Sequence, residues 1–130
     1  MAGGLVQIAL LVRDYDEAIF YFTGALGFTL IEDTVMSPAK RWVVLAPDPS
    51  SGARLLLARA ANSEQEAAIG KQFGGRVGFF LHVDDFVAAH ARMSKAGVHF
   101  LEPPRHEAYG MVAVFEDIYG NRWDLIEPKR

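Results

Sequence analysis

No cysteine occurs in this sequence of 130 residues. Disulfides, thiolate metal sites, iron–sulfur clusters and a cysteine nucleophile are thereby excluded, and the absence fits a reducing compartment. Long apolar runs are missing too. The most apolar N-terminal stretch, Leu5 to Val12, falls far short of the ~20 residues a spanning helix needs. No Lys or Arg precedes it and no small-residue cleavage site follows, so it reads as a buried strand, not a signal peptide. No membrane association is expected, and the expected location is cytoplasmic. Neither charge sign dominates: 13 Lys plus Arg against 16 Asp plus Glu give a net charge of −3. Without surplus cations to release counterions from phosphate, nucleic acid is not an expected partner. Gly74-Gly75 lacks the Lys-Ser/Thr of a phosphate loop. No serine sits in a Gly-x-Ser-x-Gly turn, which disfavours a serine hydrolase.

What remains is a chain that is 51% hydrophobic and 22% charged, a balance that excludes disorder and leaves one compact domain or two small modules sharing a core. Val6 to Arg13 reads as a strand. Asp14 then caps a helix, with Glu17 placed to reach back to the cap and Ala18, Ile19, Phe22 and Leu26 on the core face. Gly27 stops it. Strands are expected at Phe28–Ile31, Arg41–Ala46 and Ala53–Ala60. Ser63 with Glu66 reads as a capping box for a short connecting helix over Glu64–Ile69, which Gly70 ends. A strand at Val77–Val83 follows, then a helix capped by Asp85 with Phe86, Ala89, Met93 and Ala96 inward and Gly97 as its stop. Val98–Leu101, Met111–Phe115 and Trp123–Glu127 complete a second β-α-β-β-β run.

The halves match in residues as well as in order. Val12-Arg13-Asp14 and Val83-Asp84-Asp85 each end a strand and open a helix, 71 residues apart. The helix stops Gly27 and Gly97 are 70 apart. The chain reads as a duplicated module, the first at about 5–61 and the second at about 76–128.

The ordered set Ile8 to Ala18, Tyr21-Phe22, Leu26-Gly27-Phe28, Val83-Asp84-Asp85, Ala96-Gly97-Val98, Tyr109-Gly110, Phe115-Glu116-Asp117 and Gly120 to Leu125 resembles the vicinal oxygen chelate superfamily, also called the glyoxalase/bleomycin resistance protein/dioxygenase superfamily. The resemblance implies an α+β fold of two βαβββ modules whose curved mixed sheets, eight strands in all, enclose a cup. It also implies a homodimer, and a divalent metal in many members. By the family pattern, the metal-ligand positions fall on Gln7, Gly78, Asp124 and, as the first-module counterpart of Asp124, Leu56. Only Gln7 and Asp124 carry a donor, so they are weak metal candidates and no metal cofactor is expected, a divalent ion staying open as the alternative.

Strand alternation puts Gly78, Phe80 and His82 on the cup face and Phe79, Leu81 and Val83 toward the helices. Gln7, Ala9 and Leu11 line the cup from the first module. His82 with Asp124 could orient or protonate a substrate. Arg105 to Gly110 reads as a charged loop following Pro103-Pro104. It is either a solvated turn or a lid in which Arg105 pairs an anionic ligand, with Glu107 and Tyr109 beside it. His90 and His99 read as structural. Trp42 could be core, cup wall or subunit contact, and Trp123 belongs on the face opposite Asp124. The expected cup residues are therefore Gln7, Phe80, His82, Arg105, Glu107, Tyr109 and Asp124. The expected function is small-molecule binding in an apolar cup. A metal-dependent lyase or isomerase, or a ring-cleaving dioxygenase, is the alternative; a purely structural partner protein has no specific support.

Overall fold

A computed structural model describes residues 2–130. The chain divides into two compact units, Met1–Ile69 and Gly70–Arg130. The architecture is α+β, with one sheet of four strands, one of five, and three helices. Among the described residues no helix is long and apolar enough to cross a membrane.

The first unit runs β1 (Gln7–Val12), α1 (Tyr15–Gly24), β2 (Thr29–Ser37), β3 (Lys40–Ala46), β4 (Arg54–Arg59) and α2 (Ser63–Ala68). Its sheet has the order β1-β4-β3-β2, with β1 parallel to β4 and the other pairs antiparallel. Period-two Leu10 and Val12 are fully buried, as are Ala18 and Phe22 of α1, which packs on β3 and β4. Asp14 caps α1 by accepting from the Glu17 N–H at 2.8 Å. The Glu17 carboxylate takes Arg13 Nη2 at 2.7 Å. Gly27, at φ +73°, lets the Phe28 N–H return to the Phe22 carbonyl at 2.9 Å, a left-handed closure that glycine makes without steric cost. Arg41 ties α1 to the sheet, donating to Asp33 at 2.6 Å and Asp16 at 2.9 Å while lying over the Tyr15 ring.

The capping of α2 starts one residue before the expected position. Asn62 accepts from the Gln65 N–H, and the Gln65 side chain accepts from the Ala61 N–H. Two overlapping capping signatures compete here, and Asn62, in the extended conformation a cap requires, wins over Ser63.

The second unit runs β5 (Val77–His82), α3 (Phe86–Lys95), β6 (His99–Phe100), β7 (Arg105–Glu107), β8 (Gly110–Glu116) and β9 (Arg122–Pro128). The order is β5-β9-β8-β6, with β7 also paired to β8. Asp85 caps α3 by accepting from the Ala88 N–H, and Glu127 accepts from the Phe86 N–H. Phe86, Ala89 and Met93 are buried, but Ala96 is exposed. The helix ends at Lys95, and the Val98 N–H folds back to the Met93 carbonyl. Buried Val98 thus fills the inward place expected of Ala96. Phe79, Trp123 and Phe115 stack in sequence at 4.2 and 5.8 Å, and the Trp123 indole donates to buried Asp117 at 2.9 Å. His90 lies between Phe86 and Phe100, and His99 bonds Glu116, both in packing roles.

Among the described residues the strands number nine rather than the expected eight. The extra strand is β7: Arg105–Glu107, expected in a loop, forms a hairpin with β8, pairing Arg105 with Val112 and Glu107 with Gly110.

Candidate functional site

Residues paired across a sheet point to the same side. In the second unit, Phe79, Trp123 and Phe115 share the face that carries α3. The opposite face carries the row Phe80–Asp124–Val114, then the row His82–Ile126–Val112–Arg105, then Glu107 opposite Gly110. Five of the seven expected cup residues therefore share one sheet face. Tyr109 stands in the turn between β7 and β8, its hydroxyl accepting weakly from Arg105 Nη1 at 3.5 Å. Gln7 belongs to the first unit, on the face that also carries Ala9 and Leu11, and Arg54, Leu56 and Ala58 of β4.

Asp124 is the unusual member. It is only 9% exposed, its Oδ1 is wholly buried, and no hydrogen bond reaches that atom from the described residues. Burial pushes its carboxyl above the usual carboxylate range; the Arg105 charge pulls it back and the Glu102 charge pushes it further up. Phe80, its register partner, keeps 56% of its surface exposed. His82 is exposed and stands one register step farther along, diagonal to Asp124. Among the described residues no hydrogen bond joins the two.

Arg105 is already engaged. Its Nε donates to Glu102 at 2.7 Å and its Nη1 to Glu107 at 2.7 Å, and these bonds, Glu102's first, hold its proton more firmly than usual. The segment is a paired strand whose guanidinium is clamped by two carboxylates. Glu102 went unnoticed in the sequence; its place three residues before Arg105, across Pro103-Pro104, was the available signal.

Strand register also tests the metal-ligand positions. Asp124 pairs with Phe80 and Leu56 with Ala9, and Phe80 and Ala9 are 71 residues apart, the same offset as the strand ends. Leu56 is thus the register counterpart of Asp124. Gln7 pairs with Arg54, two residues before Leu56; the residue paired with Arg122, two before Asp124, is Val77. A bulge between Val77 and Phe79 makes Gly78 an inserted residue. The space a side chain at Gly78 would need holds the Phe73 ring, which also meets Phe79 edge-on at 4.9 Å. Phe73 was another residue that sequence reasoning passed over, as an aromatic inside a connection ending in Gly74-Gly75. Neither Val77 nor Gly78 offers a donor. Among the described residues no three His, Asp or Glu side chains are grouped to hold a metal ion. One neutral amide and one carboxylate do not fit a family metal centre, which gathers ~3 protein ligands.

Within the first unit a cavity of about 370 Å³ is lined by apolar Trp42, Leu56 and Ala58 and by the cations Lys40, Arg41 and Arg59.

The family model of the Glyoxalase/Bleomycin resistance protein/Dioxygenase superfamily matches residues 4–125. An uncharacterized protein of Shewanella frigidimarina (strain NCIMB 400) is 52% identical over 128 residues, covering 98% of this chain and 95% of that protein. Of solved structures, UcmS2 is similar with a TM-score of 0.84 at 26% identity, over 98% of this chain and 99% of that one. TnmS3, an antibiotic binding protein from Streptomyces sp. CB03234, is similar with a TM-score of 0.78 at 27% identity, over 99% of each chain.

Proposed function

The chain belongs to the Glyoxalase/Bleomycin resistance protein/Dioxygenase superfamily, and from that premise we propose that it binds an organic small molecule in a sheet cup, without a complete metal site. The observation that carries this reading is the donor set. Of the four ligand positions only Gln7 and Asp124 bear a donor, while Leu56 and both residues at the bulge, Val77 and Gly78, bear none. Such a set cannot repay dehydration of a divalent ion. The antibiotic-binding TnmS3, alike over nearly the whole chain, supports a binding role. The ligand-facing residues in this reading are Gln7, Phe80, His82 and Asp124, with Arg105, Glu107 and Tyr109 at the margin. The protein acts as a cytoplasmic homodimer.

Two measurements test the reading. Elemental analysis and calorimetry with zinc, nickel and cobalt should find no tight stoichiometric site, and native mass spectrometry of gently purified protein should find a co-purified compound. Tight stoichiometric metal binding would overturn the reading in favour of a metal-dependent lyase, isomerase or ring-cleaving dioxygenase. Sedimentation showing only the 14.3 kDa species would remove the dimer.

A further inference from the structure

We propose that the bound molecule presents a hydrogen-bond donor, as an amine, amide N–H or hydroxyl, to Asp124 Oδ1 while its apolar body lies on Phe80, and that the site rejects anions. This deepens the small-molecule reading above and rests on it.

The first observation is the missing donor. Buried polar atoms in folded proteins almost always have a partner, yet Asp124 Oδ1 is buried with none among the described residues. Its row neighbours are Phe80 and Val114, and one adjacent row brings Ile126 and Val112, none with a side-chain donor; the other adjacent row brings Arg122, which is exposed and does not bond Oδ1. The β9 backbone cannot supply one, because the strand is paired on both sides, to β5 and β8. An acceptor held in this way is satisfied by a donor arriving from outside the sheet.

The second observation is charge. Arg105 is the cation that acts on Asp124, and its guanidinium is spent on Glu102 and Glu107. Around Asp124 that makes three carboxylates to one clamped guanidinium. Exposed Arg122 stands one row from Asp124 on the same face, opposite Glu116, which bonds His99. An incoming carboxylate or phosphate meets a carboxylate whose nearest acting cation, Arg105, is already clamped by Glu102 and Glu107, whereas a donor meets a ready acceptor.

The third observation is Phe80. It stands beside Asp124 in register, yet more than half its surface is open. An exposed aromatic wall next to a desolvated acceptor suits a flat apolar body carrying a polar edge, and its ring face also attracts a cationic amine.

The test uses four naphthalenes of one shape with the full chain: 2-naphthylmethylamine, 2-naphthamide, 2-methoxynaphthalene and 2-naphthoate, titrated calorimetrically at neutral pH. One hydrogen bond to a charged acceptor corresponds to about 10- to 100-fold in affinity. The amine and the amide should therefore bind at least about tenfold more tightly than the ether, with the naphthoate weakest. Asp124→Ala should remove that advantage and leave the ether nearly unchanged. Asp124→Asn, which keeps the side chain's shape, should retain amide binding and lose the extra affinity for the amine; it carries the test should the alanine variant fail to fold. Naphthoate binding as well as the amine, or a donor preference that survives both substitutions, overturns this inference while leaving small-molecule binding in place. Failure of all four probes to bind the unmodified protein at millimolar concentration overturns both.

Discussion

Asp124→Leu should make the ligand-free protein more stable. The substitution removes a buried carboxylate whose Oδ1 has no donor and puts an apolar side chain beside Phe80 and Val114. Leaving a buried polar group unsatisfied costs about 1–3 kcal/mol, and that is the expected gain. Unfolding entropy of about 2.1 cal/mol/K per residue gives a chain of 130 residues roughly 0.27 kcal/mol/K, so Tm should rise by roughly 4–11 °C. The pH dependence has a definite sign. Burial raises the folded carboxyl above its unfolded value, near ~3.9. Below that value both states hold the proton and no charge is buried. As pH rises through the folded value, the native state must ionise a desolvated group and its stability falls relative to the leucine variant. The stability gap should be smallest in acid and open as pH rises from the unfolded value through the raised folded one. Asp117, whose carboxyl burial also raises, is present in both proteins and cancels in the comparison. Urea unfolding followed by tryptophan fluorescence across that pH range provides the measurement. No gain at neutral pH, or a gap independent of pH, would refute the reasoning, because it would mean that Oδ1 has a donor in the native molecule. A stabilising substitution that also abolishes ligand binding is the trade-off expected of a side chain kept for function.

Other perturbations probe the frame around this site. Gly78→Ala should cost about 1–3 kcal/mol by overpacking against the Phe73 ring, and Phe73→Ala in the same chain should restore part of it; an additive double-mutant cycle in urea would remove the proposed contact. Val77→His with Leu56→Glu should raise zinc affinity in calorimetry more than Gly78→His with Leu56→Glu, and the reverse order would sink the register assignment. Arg41→Met should cost about 0.5–1 kcal/mol at neutral pH. Arg41's hydrogen bond holds Asp33 below the usual carboxylate range, so this contribution is present above the unfolded value and is lost as pH falls through the folded one. That is the opposite trend to Asp124, and unfolding curves at pH 7 and pH 3 would separate the two.

The readings that survived intact were local ones. Asp14 and Asp85 cap their helices through bonds to N–H groups three residues on, and Leu10 and Val12 are buried at the spacing that a half-buried strand imposes. These depend on neighbours within one turn or one pleat, which a sequence contains in full. Alternation put Phe80, His82 and Asp124 on one face because β5 past its bulge and β9 are regular. Where two local signals overlapped, as at Asn62/Gln65 and Ser63/Glu66, their spacing alone could not rank them.

What the tertiary structure decided were the matters that depend on a distant partner. Arg105–Glu107 carries no strand periodicity of its own; it is a strand because β8 offers an edge to pair with. The inserted residue at Gly78 shows only when β5 is laid against β9, and there Val77, not Gly78, takes the register place matching Gln7. By sequence Arg105 fits either a solvated turn or a grip on an anion; in the fold Glu102 and Glu107 clamp it. Asp124 was visible as an acid in a strand, but its lack of a donor is a property of everything packed around it. Backbone conformation and capping answer to residues a few positions away. Register, pairing and hydrogen-bond satisfaction are set across tens of residues, where sequence distance no longer measures spatial distance.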